Sequence, residues 1–406
     1  MTKPQIKFLH LADIHLNRPP GKDGLNLPYD KKAKRRQESL QVFIRAMELA
    51  INEQVDLILI SGDLWDEDML EQKTVPFVFE SINAVNVPVF IAPGNRDYFH
   101  ITSHYSNIIT RARYNKVWPS NVHIFSSPEF THVIPRNLDH VCISGKAVVG
   151  REVNPNSRPF AKVIHVPDKP IRLALMHGSR EQKLPPGKTS VNPFADHELL
   201  AQSFDYVALG HYHNLSIIND ETGKIRAAYP GAACSNGVYD KGPCGAVIGV
   251  VEPGGIARED FEFNELDDRR VVKINLDVTG CRHVQHVEKT ILEGLKKSEA
   301  RPVDMVMIEL YGTFYSGSHI AFGEMFLQDA FFHLQIDTSA VRPEWALELS
   351  DENSTKTTEV LFQIRMQEML KGTIGKGDEK KLSQIQNAMY YGLDALYGSP
   401  VTPRET

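Results

Sequence analysis

Five short phrases carry residue types that grip divalent cations: Asp13-Ile14-His15, Gly62-Asp63, Gly94-Asn95-Arg96-Asp97, His177-Gly178 and Gly210-His211-Tyr212-His213. In extended backbone, residues i and i+2 project to one side. Asp13 with His15, and His211 with His213, can therefore each aim two donors into one cavity while Ile14 and Tyr212 turn away. A mixture of carboxylates, imidazoles and one amide oxygen suits Mn²⁺, Fe or Zn²⁺ better than Mg²⁺ or Ca²⁺, which prefer oxygen alone. So many donors exceed the needs of a single ion. Two ions about 3.5–4 Å apart, bridged by a shared carboxylate, clamp the attacking and leaving oxygens of an in-line displacement at phosphorus, and Asp63 is the natural bridge. Gly62, Gly94, Gly178 and Gly210 allow the close backbone approach that such a centre needs. A single Asp or His of this kind is usually a solvated loop residue or a satisfied core group; five such phrases together point to a site. His10, His123, His132, His140, His165 and His286 lack a partner at ligand spacing and read as structural or exposed, His10 as packed in mid-strand.

The elements that must position these phrases are apolar runs bounded by turn signals, at 6–11, 55–60, 87–92, 171–176 and 206–209, each short enough for a buried strand. Between the first two, Leu40, Phe43, Ile44, Met47 and Ile51 repeat at helical spacing within 31–53, and a second helix is expected over 75–85. This alternation predicts a layered α/β fold with parallel pairing, in which sites form beyond the carboxyl ends of the strands. Each of the five phrases follows such an end.

With 406 residues, 42% of them hydrophobic, a large domain with a smaller appendage is expected. A formal net charge of -6 and an isoelectric point near 6.2 argue against a protein that coats nucleic acid by charge alone, so any DNA contact is local or shared. Cys142, Cys234, Cys244 and Cys281 form no CxxC pair, which predicts core thiols in a reducing compartment. The chain runs into its first strand without an apolar signal core, and no stretch has about 18 unbroken apolar residues. A soluble cytoplasmic protein with no membrane association is therefore expected.

The order DxH, GD, GN, H, GHxH resembles the calcineurin-like metallophosphoesterases. Within them, Leu9-His10-Leu11-Ala12-Asp13-Ile14-His15-Leu16, Ile60-Ser61-Gly62-Asp63-Leu64-Trp65-Asp66 and Tyr229-Pro230-Gly231 are similar to SbcD-type DNA repair exonuclease subunits. Lys241-Gly242-Pro243-Cys244-Gly245, with strands around a Glu252-Pro253-Gly254-Gly255 turn, is similar to their YhaO-type branch. The resemblance implies two central mixed sheets flanked by helices, with a smaller α/β capping domain and C-terminal helices. It implies two divalent ions, Mn²⁺ first: one held by Asp13, His15, Asp63 and His213, the other by Asp63, Asn95, His177 and His211. A catalytic trio at Asn95, Arg96 and Asp97 also follows, with one departure. The family has His after the Asn, thought to help protonate the leaving oxygen and to be oriented by the Asp; here Arg96 stands there. Arginine cannot donate that proton, although it can grip phosphate. Losing a positioned acid costs about 10²–10⁴ in rate, so His100 or His104 would have to substitute, or activity is attenuated. The plain alternative is that Arg96 pairs with Asp97.

A composition shift after Asp267-Asp268-Arg269-Arg270 suggests domains at 1–266, 267–349 and 350–406. The second reads as strand 271–278, helix 283–299 with Val284, Val287, Ile291 and Leu295 on one face, and strand 305–313. After a polar stretch at 350–358 come two helices. Val360, Leu361, Ile364 and Met369 line the first; Asp378 caps the second, and Leu382, Ile385, Met389, Leu393 and Leu396 line it. A helix pair with apolar faces needs a cover, which the resemblance supplies as an SMC-like ATPase. The expected function is thus a metal-dependent DNA exo- or endonuclease subunit of an SbcCD-like complex, in repair or defence, with DNA as partner and homodimerisation implied by the family. Two alternatives stand beside it: a metal-binding scaffold for DNA ends, slow because of Arg96, and a small-molecule phosphodiesterase acting on cyclic nucleotides, for which the cap and terminal helices would be superfluous.

Overall fold

The computed structural model describes residues 3–18, 25–151, 157–184, 189–240, 242–315, 320, 322–323, 326–327, 329–344, 357–373 and 379–396. The expected Asp378 cap, Lys241, most of the polar stretch 350–358 and much of the loop between the last two helices lie outside them. The chain divides into two compact units, one comprising Met1–Lys273, Ala300–Met307 and Asp329–Gln335, the other Ile274–Glu299, Ile308–Gln328 and Ile336–Thr406.

Two six-stranded sheets dominate the first unit. β1 (Ile6–Leu11), β2 (Leu57–Ile60), β3 (Val89–Ile91) and β4 (Val122–Ile124) pair in parallel in that order. The second sheet is built from β5 (Thr131–Val133), β6 (Val141–Lys146), β7 (Ile171–His177), β8 (Tyr206–Gly210), β9 (Ser216–Asn219) and β10 (Ile225–Tyr229). Its order is β5-β6-β7-β8-β10-β9, parallel through β6, β7, β8 and β10, antiparallel at both edges. β11 (Gly245–Val251) and β12 (Phe261–Glu265) join the first sheet antiparallel, on the far side of β1. Both sheets are mixed, and both carry their parallel strands at the centre.

The residue pattern explains the layering. In β2 every side chain is buried, but alternately: Leu57 and Leu59 join Phe8, Phe90, Leu173, Leu175 and Tyr206 between the sheets, whereas Ile58 and Ile60 pack with Leu9 and Leu11 toward the helices. The helices covering that outer face are α1 (Tyr29–Asn52) and α2 (Thr74–Val85), the latter ended by Asn86 in a left-handed conformation. The buried face of α1 is Val42, Phe43, Ala46, Met47 and Ala50; Ile51, expected on the apolar stripe, lies half exposed in the last turn. α3 (Asn107–Tyr114) follows β3, and α4 (Asp196–Leu200) contributes Leu199 to a core with Phe160, Phe194 and Phe204 on the outer face of the second sheet. All four cysteines are free thiols, and three are buried.

β13 (Val271–Asp277), β14 (Met305–Tyr315) and β15 (His333–Glu344) form a three-stranded sheet in that order, with α5 (Val284–Ser298) between the first two in sequence. Val287, Ile291 and Leu295 are buried on α5, and Gly294 sits against Leu276, where a Cβ would come within 2.7 Å of a leucine methyl. Finally, α6 (Thr358–Thr373) and α7 (Glu379–Leu396) pack on each other. Their shared core is Phe362, Met366 and Leu370 with Ile385, Met389 and Leu393. The expected stripe on α6 is therefore displaced: residues four apart stack along one line, and Leu361 and Met369 fall on the exposed side.

Candidate metal centre

The first three phrases follow β1, β2 and β3, His177 ends β7, and His211 follows β8. Beyond the end of the β1–β2 ladder the two chains keep company: Asp13 N–H donates to Gly62 O at 3.0 Å, His15 N–H to Asp63 O at 3.0 Å and Leu16 N–H to Leu64 O at 2.9 Å. The ligand pairs do not converge through the pleat, as extended backbone would have it. Asp13 and His15 both sit at φ 49°, Asp63 at 52° and His211 at 107°, so left-handed turns aim these side chains. Non-glycine residues rarely adopt such angles, at a cost of about 1–3 kcal/mol each. Ile14 and Tyr212 do turn away, each into a hydrophobic core. A Cβ on Gly210 would strike the Ser61 carbonyl and one on Gly94 would strike Asp63, so no larger residue fits at either place.

Each central carboxylate spends one oxygen on a backbone amide and keeps the other for the pocket. Asp13 Oδ2 accepts the His211 amide at 2.8 Å, and its Oδ1 is buried with no hydrogen-bond partner among the described residues. Asp63 Oδ1 accepts the Arg96 amide at 2.8 Å, and its Oδ2 lies 3.7 Å from His15 Nε2 and 3.5 Å from His177 Nε2. Asp13 Oδ1 is 3.7 Å from His213 Nε2. Among the described residues, two clusters of metal-compatible atoms result: Asp13, His15 and His213, and Asp13, Asp63 and His177. Asp13 thus serves both clusters, where a place in one alone was expected.

The four imidazoles are held from behind. His15 Nδ1 bonds Asp66 Oδ1 at 2.7 Å and His213 Nδ1 bonds Asp240 Oδ1 at 2.6 Å; His177 Nδ1 donates to Ser61 O at 2.9 Å and His211 Nε2 to Thr189 O at 2.9 Å. A carbonyl oxygen can only accept, so His177 Nδ1 and His211 Nε2 are the donors in these two bonds and the opposite nitrogens are the ones turned to the pocket. His177 Nε2 lies 3.1 Å from Asn95 Oδ1, which puts the imidazole and the amide oxygen on the same pocket. Orphaned Asp13 Oδ1 and His15 Nε2, beside an amide oxygen and two further imidazoles, fit a pocket made for cations. The rings pair as His15 with His213, centroids 5.3 Å apart, and His177 with His211, 5.1 Å apart.

Burial works against the charge on Asp63, but the neighbouring His177 and His15 and the Arg96 amide outweigh it and hold the carboxyl below the usual carboxylate range. Asp66 and Asp240 are lowered in the same way: burial opposes, and the histidine each one faces prevails. Asp97 goes the other way, pushed up by burial and by the Asp63 charge.

Two expectations need correction. Asp97 does not orient residue 96 or pair with its guanidinium: its oxygens accept the amides of Asp63, Gly94 and Leu64 and the Tyr105 hydroxyl, at 2.5–3.1 Å. That buried carboxylate ties the two ligand loops together. His104 is no spare acid either, because Nδ1 bonds Glu67 at 2.6 Å and Nε2 accepts from Arg113 at 3.1 Å. His100 is exposed, its Nδ1 2.8 Å from the Thr102 hydroxyl. Asp66, Asp240 and the carbonyls of Ser61 and Thr189 escaped the sequence reading. Only Asp66, three residues after Asp63, carried a local signal. His10 is packed as expected, accepting from the Tyr206 hydroxyl at 2.9 Å and donating to Ser61 Oγ at 3.0 Å, while Ser61 Oγ donates to Ala208 O. Burial pushes its pKa down to about 3, so the ring is neutral.

Among known proteins, the chain is 29% identical over 313 residues to the uncharacterized metallophosphoesterase YhaO of Bacillus subtilis, covering 74% of this chain and 71% of that one. It is 23% identical over 235 residues to the DNA double-strand break repair protein Mre11 of Sulfurisphaera tokodaii, covering 55% of this chain and 53% of the relative, about half its length. A dimetal phosphatase from Danio rerio overlies 62% of this chain and 98% of its own, at 13% identity and a TM-score of 0.35. The family model described as calcineurin-like phosphoesterase matches residues 6–215, a span that begins at β1 and closes just beyond His213. Because that span is more than half of the chain and holds every candidate ligand, the protein belongs to the calcineurin-like phosphoesterases, which hydrolyse phosphoesters at a dinuclear divalent-metal site.

Proposed function

We propose that this protein cleaves DNA phosphodiester bonds with Mn²⁺ in its metal pocket, as the nuclease subunit of a complex with an SMC-like ATPase. The observation that carries the phosphodiesterase reading is the buried, unpartnered pair Asp13 Oδ1 and His15 Nε2, set among four imidazoles held from behind. Asp13, His15, Asp63 and His213 would hold one ion, and Asp63, Asn95, His177 and His211 the other. Two bound divalent ions neutralise charge at the phosphoryl group and lower the pKa of the attacking water.

The chain's residues set the rest. Asp97 fixes the Asp63 and Gly94 loops against each other. Arg96 offers phosphate a permanent cation but no proton, so turnover is expected about 10²–10⁴ below that of a centre with a positioned acid. Similarity to Mre11 repair proteins supports DNA as substrate. The exposed Leu361 and Met369 on α6 support a helical partner for the terminal pair, and a homodimer belongs to the same proposal. Among the described residues, no helix is long and apolar enough to cross a membrane.

The test incubates the protein with Mn²⁺ and linear duplex DNA, single-stranded DNA or bis(p-nitrophenyl) phosphate, beside Asp63→Asn. Wild-type cleavage of DNA and of the chromogenic diester, lost in the variant, is the expected result. Equal turnover by both proteins removes the metal mechanism, and hydrolysis of the small diester without any of DNA removes the nuclease reading.

A further inference from the structure

A cavity of about 650 Å³ opens beside Asn95, and Arg18, Arg96, Arg151 and Tyr98 border it. Its carboxylates are engaged. Asp66 faces His15 at 2.7 Å and Arg18 at 3.8 Å, Glu67 accepts from His104 and from the Trp65 indole, and Asp68 pairs with Arg151 at 3.1 Å. Arg96 differs from all of these. Its amide is bound to Asp63 Oδ1 and its carbonyl accepts the Glu67 amide at 3.0 Å, so its backbone is fixed against a metal-facing carboxylate. Its side chain is nevertheless exposed, with no hydrogen-bond or ion-pair partner among the described residues.

We propose that this cavity is a subsite for a second phosphate of the substrate, adjoining the bond that is cut, with Arg96 as its anchor. The inference rests on the phosphodiesterase reading above and narrows its substrate class. A guanidinium presents a planar fork that matches two phosphate oxygens at once, and it stays charged at any working pH. Arg151 can join it, because the Arg151–Asp68 pair is exposed on both sides, at 77% and 67%, and such pairs exchange easily. The volume suits a nucleotide rather than a lone phosphate, and the Tyr98 ring offers a base a surface to stack on. A cyclic mononucleotide, with one phosphate, forfeits these contacts; an oligonucleotide, or an end bearing a terminal phosphate, keeps them.

The test uses the full chain loaded with Mn²⁺ and three substrates: the p-nitrophenyl ester of thymidine 5′-phosphate, the same ester carrying a 3′-phosphate, and the same ester extended by one 3′-linked thymidine. A second phosphate is expected to raise kcat/KM about 10- to 100-fold, through KM, which is the range for one charged hydrogen-bonded contact. Arg96→Gln should erase that ratio, Arg96→Lys should keep part of it, and Arg151→Gln should lower it less. Because the ratio is taken within each protein, any loss common to all substrates cancels. A gain from the terminal phosphate alone assigns the subsite to DNA ends, and a gain from the internucleotide phosphate assigns it to the chain. No gain, or a gain that survives Arg96→Gln while the plain ester is still hydrolysed, overturns the inference and leaves the phosphodiesterase reading standing; hydrolysis of none of the esters counts against that reading instead. Calorimetry of chelator-treated protein with thymidine 3′,5′-bisphosphate tests the subsite without turnover. Binding about tenfold weaker in Arg96→Gln supports it, and equal binding overturns it.

Discussion

On one side of the pocket, His15 and His213 lean on buried carboxylates, Asp66 at 2.7 Å and Asp240 at 2.6 Å; on the other, His177 and His211 lean on the backbone carbonyls of Ser61 and Thr189, both at 2.9 Å. A carboxylate behind an imidazole raises its basicity more than a neutral carbonyl does. The first half therefore gathers more negative charge and is expected to hold its cation more tightly, while the second exchanges its cation more readily. Two histidine pairs of equal size thus make unequal sites, and the inequality resides in the atoms behind them.

Five substitutions probe the difference between the two halves, in falling order of effect. Asp63→Asn strikes both halves through one oxygen and should lower diester hydrolysis at least about 10³-fold, read with the chromogenic ester. Asp240→Asn and Asp66→Asn should each weaken one of two Mn²⁺ equivalents by about 10–100-fold in a calorimetric titration and leave the other equivalent in place. Equal weakening of both equivalents would erase the distinction between the halves. His10 supports the carbonyl-backed half through Ser61, and its effect is on stability. It is neutral in the fold with a pKa near 3, whereas the unfolded chain takes up a proton below 6.5. Its contribution is therefore complete above pH 6.5 and declines as the pH falls toward 3, by about 2 kcal/mol at pH 5. Urea midpoints at pH 7 and pH 5, in chelator, should show a smaller pH dependence in His10→Gln than in wild type. Thr189→Ala, last, leaves the carbonyl behind His211 intact and should change metal affinity by less than about twofold and stability by less than about 0.5 kcal/mol; a larger loss would mean that the side chain of Thr189 matters.

That last contrast also shows what a sequence can reveal. The candidate ligands were legible because their types are distinctive and each follows an apolar run whose strand the structure contains, as with Leu9, Leu11 and the Asp13-Ile14-His15 turn. Backbone acceptors carry no residue signature, so Ser61 and Thr189 were invisible in that role. Asp240 lies 27 residues from His213, and only the folded chain brings them together. Asp97 was seen but misassigned, because spacing cannot tell a carboxylate that orients a side chain from one that gathers three amides. β15 was missed altogether: His333-Leu334-Gln335-Ile336-Asp337-Thr338 alternates, but weakly, and the run has no ligand phrase after it. The face of α6 was misplaced because Phe362, Met366 and Leu370 compete with several other apolar residues around the same helix.

The left-handed backbone at Asp13, His15, Asp63 and His211 has a consequence outside chemistry. Conformations of that kind weigh against the folded state, and cation binding offsets them by mass action. Where metal is short, copies of this protein would open and fall to proteases sooner than metal-loaded ones. Metal supply would then govern how many molecules persist, and starvation would show as a fading band on a gel as well as a slower reaction.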